Sequence, residues 1–153
     1  MASLEKKHPK NLYWELASPT SDELVLEQRK ETRNYWEKEY GKVLSGTASK
    51  AEVDSYYSYQ QSLIKDYLTI TQDLLNNYSS DLPEQDLRLL NLAKNMQQSK
   101  LNDIPGHWKN SLEKSNRHED QRQQWLTDKE GYEKKLRQQA QQASETYVKK
   151  SYN

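Results

Sequence analysis

The chain has 153 residues, 23 basic and 23 acidic side chains, and neither cysteine nor phenylalanine. Cancelled charge removes the broad attraction that nucleic acid or an anionic membrane would need. The missing cysteine excludes disulfides, thiol chemistry and cysteine-ligated zinc.

That length suits one domain with a continuous core. Leu, Ile and Val together fill only 26 positions, while 11 Tyr and 4 Trp add large apolar surfaces. These totals fit a folded protein with a thin core. Bundles of long helices have that property, because each helix buries one stripe and leaves its other faces to charged and amide side chains. No apolar run approaches the length of a bilayer span. The start, Met1-Ala2-Ser3-Leu4-Glu5-Lys6-Lys7-His8, has no apolar signal region. The compartment stays open between export with a signal already removed and the cytoplasm.

In chain order, residues 1–17 are mixed, with one apolar patch at Leu12, Tyr13, Trp14 and Leu16. They are expected to form a tail that docks this patch, or a short extra helix. Residues 18–153 are expected to form a single helical-bundle domain. A first long helix is predicted from Thr20, which stands at capping-box spacing from Glu23, to Tyr40, with Gly41 as its stop. Its apolar positions are Leu24, Val25, Tyr35, Trp36 and Tyr40, a weak stripe.

The second helix carries the best signal. Ser49 and Glu52 again have capping-box spacing. Val53, Tyr57, Gln60, Ile64, Tyr67, Thr71, Leu74 and Tyr78 then alternate steps of four and three. Tyr56, Leu63 and Ile70 widen that stripe on one side, and Leu68 and Leu75 on the other. So wide an apolar face needs at least two helical neighbours, which makes this the central helix. The segment Ser79-Ser80-Asp81-Leu82-Pro83 reads as a turn. A third helix carrying Leu87, Leu89, Leu90, Leu92, Ala93, Met96 and Leu101 is predicted to end around Asn102-Asp103-Ile104-Pro105-Gly106. From Trp108 onward a fourth helix is expected, with a kink or break near residues 127–131 at Gly131. The Gln-rich tract Gln138-Gln139-Ala140-Gln141-Gln142 favours helix and reads as an exposed face.

Candidate chemistry is sparse. His8, His107 and His118 have no second histidine at helical ligand spacing, and neither H-E-x-x-H nor the Glu-x-x-His pattern of di-iron bundles occurs. No G-x-S-x-G elbow, phosphate loop or dinucleotide fingerprint is present. Carboxylate pairs are too frequent among 23 acids to single any out. The aromatic residues are the more informative group. Tyr56, Tyr57 and Tyr59 spread around the second helix at about 100° per residue and cannot all face one core. Either Tyr57 is buried with its neighbours at boundaries, or the group makes an aromatic surface for a partner. Trp108 reads as an anchor pinning an inter-helix turn, or as a binding residue.

Leu68-Thr69-Ile70-Thr71-Gln72 resembles the L-T-x-x-Q motif of the Spy and CpxP family of periplasmic helical chaperones. The resemblance covers five residues and occurs once, where that family carries the motif twice. Leu126-Thr127-Asp128-Lys129-Glu130 approaches a second copy but ends in glutamate. It implies an all-helical, cysteine-poor, ATP-independent protein that cradles unfolded clients or a sensor domain.

The sequence therefore predicts an all-α fold, an elongated antiparallel bundle of three to four long helices. The function expected is a non-enzymatic adaptor or chaperone-like role, acting through helix surfaces on a protein partner, with a homodimer among the options. Neither cofactor nor metal is expected, nor a nucleic-acid partner or membrane span. The rival readings are an enzyme with carboxylates in a bundle cleft, and a sugar- or peptide-binding module using Tyr and Trp. The residues expected to meet a partner are Tyr56, Tyr59, Trp108 and Trp14.

Overall fold

A computed structural model describes residues 2–152; Met1 and Asn153, the outermost positions of the two expected segments, lie outside the described residues. Among the described residues five α-helices follow in order: α1 (Ala2–Lys7), α2 (Leu12–Leu16), α3 (Glu23–Ser45), α4 (Lys50–Asn77) and α5 (Glu84–Tyr152). One 3₁₀ turn at Ser79–Asp81 precedes α5. No strand occurs among the described residues, and no helix there is long and apolar enough to cross a membrane. The all-α bundle predicted from the periodicity is what forms. The chain divides into two compact units, residues up to Ser115 and residues from Asn116 onward.

In the first unit α4 is the spine. Its capping box is complete: the Glu52 amide donates to Ser49 Oγ at 3.1 Å, and the Ser49 amide donates to Glu52 Oε1 at 3.0 Å. Of the eight residues in its four-three stripe none is exposed, and Val53, Tyr57, Ile64 and Thr71 are buried. Val43, Ala48, Val53, Tyr57, Ile64 and Ile104 form the core, with Tyr56, Leu68, Leu101, Trp108 and Leu112 packed around it. The core is as thin as the composition requires.

Helix α3 lies antiparallel to α4, since Lys42 meets Glu52, Tyr40 meets Tyr56 and Trp36 meets Tyr59. The first part of α5 is also antiparallel to α4. Ser115 Oγ donates to the Ala48 carbonyl at 2.7 Å, and Trp108 Nε1 donates to Asp54 Oδ1 at 2.8 Å. The Tyr57 and Ser111 hydroxyls share a 2.8 Å hydrogen bond inside the core.

Four predicted boundaries are corrected. The N-cap of helix α3 is Asp22, two residues past the expected Thr20, because the Asp22 carboxylate takes the Leu24 amide at 3.0 Å. It continues through Gly41, because the buried Val43 holds the last turn in the core. Gly46 ends it at φ 78°, its amide donating to the carbonyls of Lys42 and Val43. The expected break at Asn102-Asp103-Ile104-Pro105-Gly106 does not occur, and Pro105 lies inside α5. Proline removes one helical hydrogen bond and costs about 3 kcal/mol in a helix interior. The flanking Leu101, Ile104, Trp108 and Leu112, all packed on the α4 core, offset that cost. Residues 127–131 likewise remain helical.

Residues 2–17 pack along α4 through polar clasps at two acids one heptad apart. Asn11 Nδ2 donates to the Asp66 carbonyl at 2.8 Å, and the Leu12 amide donates to Asp66 Oδ2 at 2.9 Å. Lys7 Nζ and His8 Nε2 reach Asp73 Oδ2 at 3.0 and 2.7 Å. Leu4 is buried. In the second unit the residues from Asn116 to Lys150 are all exposed except Leu126, which is half-buried.

Candidate functional site: an aromatic groove beside the central helix

Helices α3 and α4 bring together rings that lie far apart in the chain. Trp36 stacks on Tyr59 with centroids 4.1 Å apart and planes 9° from parallel, and Tyr40 stacks on Tyr56 at 5.4 Å and 25°. Tyr35 meets Trp36 edge-on at 4.9 Å, and Trp36 lies 6.2 Å from Tyr56. Tyr56 meets Tyr57 edge-on at 5.1 Å, and Tyr57 stacks on Trp108 at 5.9 Å. The rings thus form a connected chain from the α3 surface to the α4–α5 core. Contacts of this kind add about 0.5–1.5 kcal/mol each beyond area burial, so the aromatic surface is held in place without a ligand.

On the outer side of this chain lies a groove of about 610 Å³ between α2, α3 and α4. Leu16, Leu26, Trp36, Tyr40, Tyr56, Tyr59 and Leu63 supply apolar lining, and Arg29, Arg33, Glu37 and Gln60 supply polar groups. Arg29 is fixed by its own bonds. Its Nε donates to the Glu15 carbonyl at 2.8 Å, and Nη2 reaches the Trp14 carbonyl and Ser18 Oγ at 3.4 Å each. Those bonds tie α3 to the carboxyl end of α2, so Leu16 and Ala17 form one wall. A second groove of about 610 Å³ lies between α3, α4 and α5 and shares Tyr40, Tyr56 and Gln60 with the first.

Burial pushes the Tyr56 phenol up to about 12, with Tyr40 and Tyr57 adding to the rise. Burial also raises Tyr59, with the negative charge of Glu15 contributing. Both phenols therefore stay protonated near neutral pH and can donate or accept a hydrogen bond. Two carboxyl groups are displaced downward. Glu52 falls to about 2, chiefly through its bond to Lys42 and then the Ser49 amide, while Lys42 rises to about 12 through Glu52 and Glu39. Asp73 falls to about 2 because Asn77, His8 and Lys7 all donate to it. Each is a carboxylate braced by donors. Among the described residues no group of three or more His, Asp or Glu side chains gathers to hold a metal ion.

Of the residues expected to meet a partner, Tyr56 and Tyr59 line the groove. Trp108 is half-buried, stacked on Tyr57 and bonded to Asp54, and it anchors α5 to α4 within a continuous helix. Trp14 is also half-buried, its Nε1 donating to the His8 carbonyl at 2.7 Å. Sequence reasoning left Trp36, Tyr40, Arg29 and Arg33 out of the site. Trp36 and Tyr40 were visible as apolar positions spaced by four in the first helix, but their partners depend on the register between α3 and α4. The five residues resembling L-T-x-x-Q lie inside α4. Ile70 and Thr71 are buried there, and Thr71 Oγ1 donates to the Tyr67 carbonyl. Comparisons with protein-family models, curated proteins and solved structures find no match for this chain.

Proposed function

We propose that this chain is a non-enzymatic binding protein that takes an apolar segment of a protein partner into the α2–α3–α4 groove. The observation that carries this reading is the preassembled surface of Trp36, Tyr40, Tyr56 and Tyr59 beside an open volume of about 610 Å³. Tryptophan and tyrosine supply large contact area at low conformational cost, and such side chains dominate binding energy at protein interfaces. Arg33 and Glu37, both exposed at the rim, would orient the segment. Glu52 and Asp73 are both shifted down by the donors that hold them, the wrong direction for either to act as a general acid.

The test is affinity capture with the intact chain and two variants, read by mass spectrometry. Trp36→Ala removes half of the ring stack and should release a bound partner at least ten-fold, the loss typical of an interface hot spot. Trp125→Ala, in the second unit, should retain it. Equal capture by both variants contradicts the groove. The ring faces also favour a second reading, a sugar or short peptide stacked on Trp36 and Tyr59. Titration with oligosaccharides, followed by tryptophan fluorescence, separates the two: a saturable change lost in Trp36→Ala selects the sugar.

A further inference from the structure

The second unit poses a separate problem. From Asn116 to Lys150 the chain is helical and exposed apart from Leu126, with Trp125, Tyr132 and Leu136 at 59%, 65% and 46%. With Lys129 they follow steps of four, three and four, the seam of a coiled coil. A few local links hold the helix, among them Gln123 to Glu119, Gln124 to Asp128 and Lys129 over the Trp125 ring at 5.2 Å. Such i,i+4 links contribute only about 0.2–0.5 kcal/mol each, and isolated helices in water are marginal.

Charge along this stretch is divided. Residues 119–130 hold four acidic and two basic side chains, while residues 131–142 hold one acidic and three basic. We infer that this helix pairs antiparallel with the same helix of a second copy of the chain, each acidic half lying on the other's basic half. In the register that fits both the seam and the charges, Trp125 of one copy packs on Leu136 of the other and Lys129 lies over Tyr132. Asp128 then flanks the seam beside Lys135, twice per pair by symmetry. A parallel pair would stack basic half on basic half and bring Asp128 beside Glu133. Trp and Tyr bury about 150–250 Å² each, so the exposed parts of Trp125, Tyr132 and Leu136 supply about 400 Å² per chain, the size of a small, transient interface. Association of this size is weak and needs no part of the groove of the first unit.

Sedimentation equilibrium of the full chain across a concentration series tests the pairing. The wild type should self-associate. Asp128→Lys and Lys135→Asp should each weaken it by about ten-fold, as two attractions become two repulsions. The double variant should restore it to within about three-fold, on the same conversion. The two positions are seven apart and do not touch within one helix, so rescue reports contact between copies. Circular dichroism of each variant checks that helix content is unchanged. A wild type that stays monomeric throughout overturns the inference, as does a double variant that is not rescued. Tighter association in Asp128→Lys also overturns it, since only a parallel pair predicts that.

Discussion

Helix α4 and the helical stretch from Asn116 onward both carry aromatic residues at four-three spacing, yet one is the spine of a core and the other is exposed except at Leu126. The difference lies in the width of the stripe. Around Val53, Tyr57 and Ile64 the neighbouring positions are Tyr56, Leu63, Leu68 and Ile70, so α4 presents apolar surface to α3 on one side and α5 on another. Around Trp125, Tyr132 and Leu136 the adjacent residues are Gln124, Gly131, Glu133, Lys135 and Arg137, with Leu126 the one apolar neighbour, which leaves a narrow seam. Periodicity alone makes a helix. Width sets how many neighbours it can hold.

Substitutions can sharpen or break this contrast. The largest effect is expected from Ile104→Ala, which opens a cavity where α5 meets α4 and should cost about 2–5 kcal/mol in urea unfolding. Tyr57→Phe leaves the buried Ser111 hydroxyl without its partner and should cost about 1–3 kcal/mol by the same measurement. Gly46→Ala forces a side chain into left-handed backbone at φ 78°, although Lys114 stands at an ordinary 3.7 Å, and should lower stability by about 1–2 kcal/mol. Leu136→Ala, in the exposed stretch, should change unfolding of the dilute chain by less than about 0.5 kcal/mol. A Leu136→Ala cost as large as that of Ile104→Ala would erase the distinction.

Acid should act on the first unit at the clasp of residues 2–17. Asp73 has its pKa lowered from an ordinary 3.8 to about 2 by Asn77, His8 and Lys7, so its contribution is complete above the ordinary value and disappears as pH falls through about 2. Glu52, lowered from 4.5 to about 2, behaves alike at the α3–α4 turn. Protection of residues 2–17 against hydrogen exchange, relative to the intrinsic rate at each pH, should therefore fall between about pH 4 and pH 2 in the wild type, ahead of the α4 core. In Asp73→Ala it should already be low at neutral pH. Unchanged protection in that variant contradicts the clasp.

How much of this was legible in the residues follows the range of the forces involved. The Ser49–Glu52 capping box and the stripe from Val53 onward are local rules, and α4 obeys both. Gly41 and Pro105 are local stop signals that tertiary packing overrides, because Val43 and Ile104 reach the core only if the helices run on. Gly46, two residues past the last apolar position, was the real stop. Within the site, Tyr56 and Tyr59 were recognisable as aromatic residues too many for one core. Their stacking partners Trp36 and Tyr40 sit about twenty residues upstream. They meet only because the short turn Gly46-Thr47-Ala48-Ser49 sets the register of α3 against α4, and periodicity within one helix carries no information on that.

Native-state hydrogen exchange, resolved along the chain and repeated at rising protein concentration, is the measurement closest to the central contrast. Amides of α4 between Val53 and Thr71 should be protected up to global unfolding at every concentration, while those between Asn116 and Lys150 should exchange far faster when the chain is dilute and slow as it is concentrated. Equal protection of both stretches in dilute solution, or faster exchange in α4, would contradict the account.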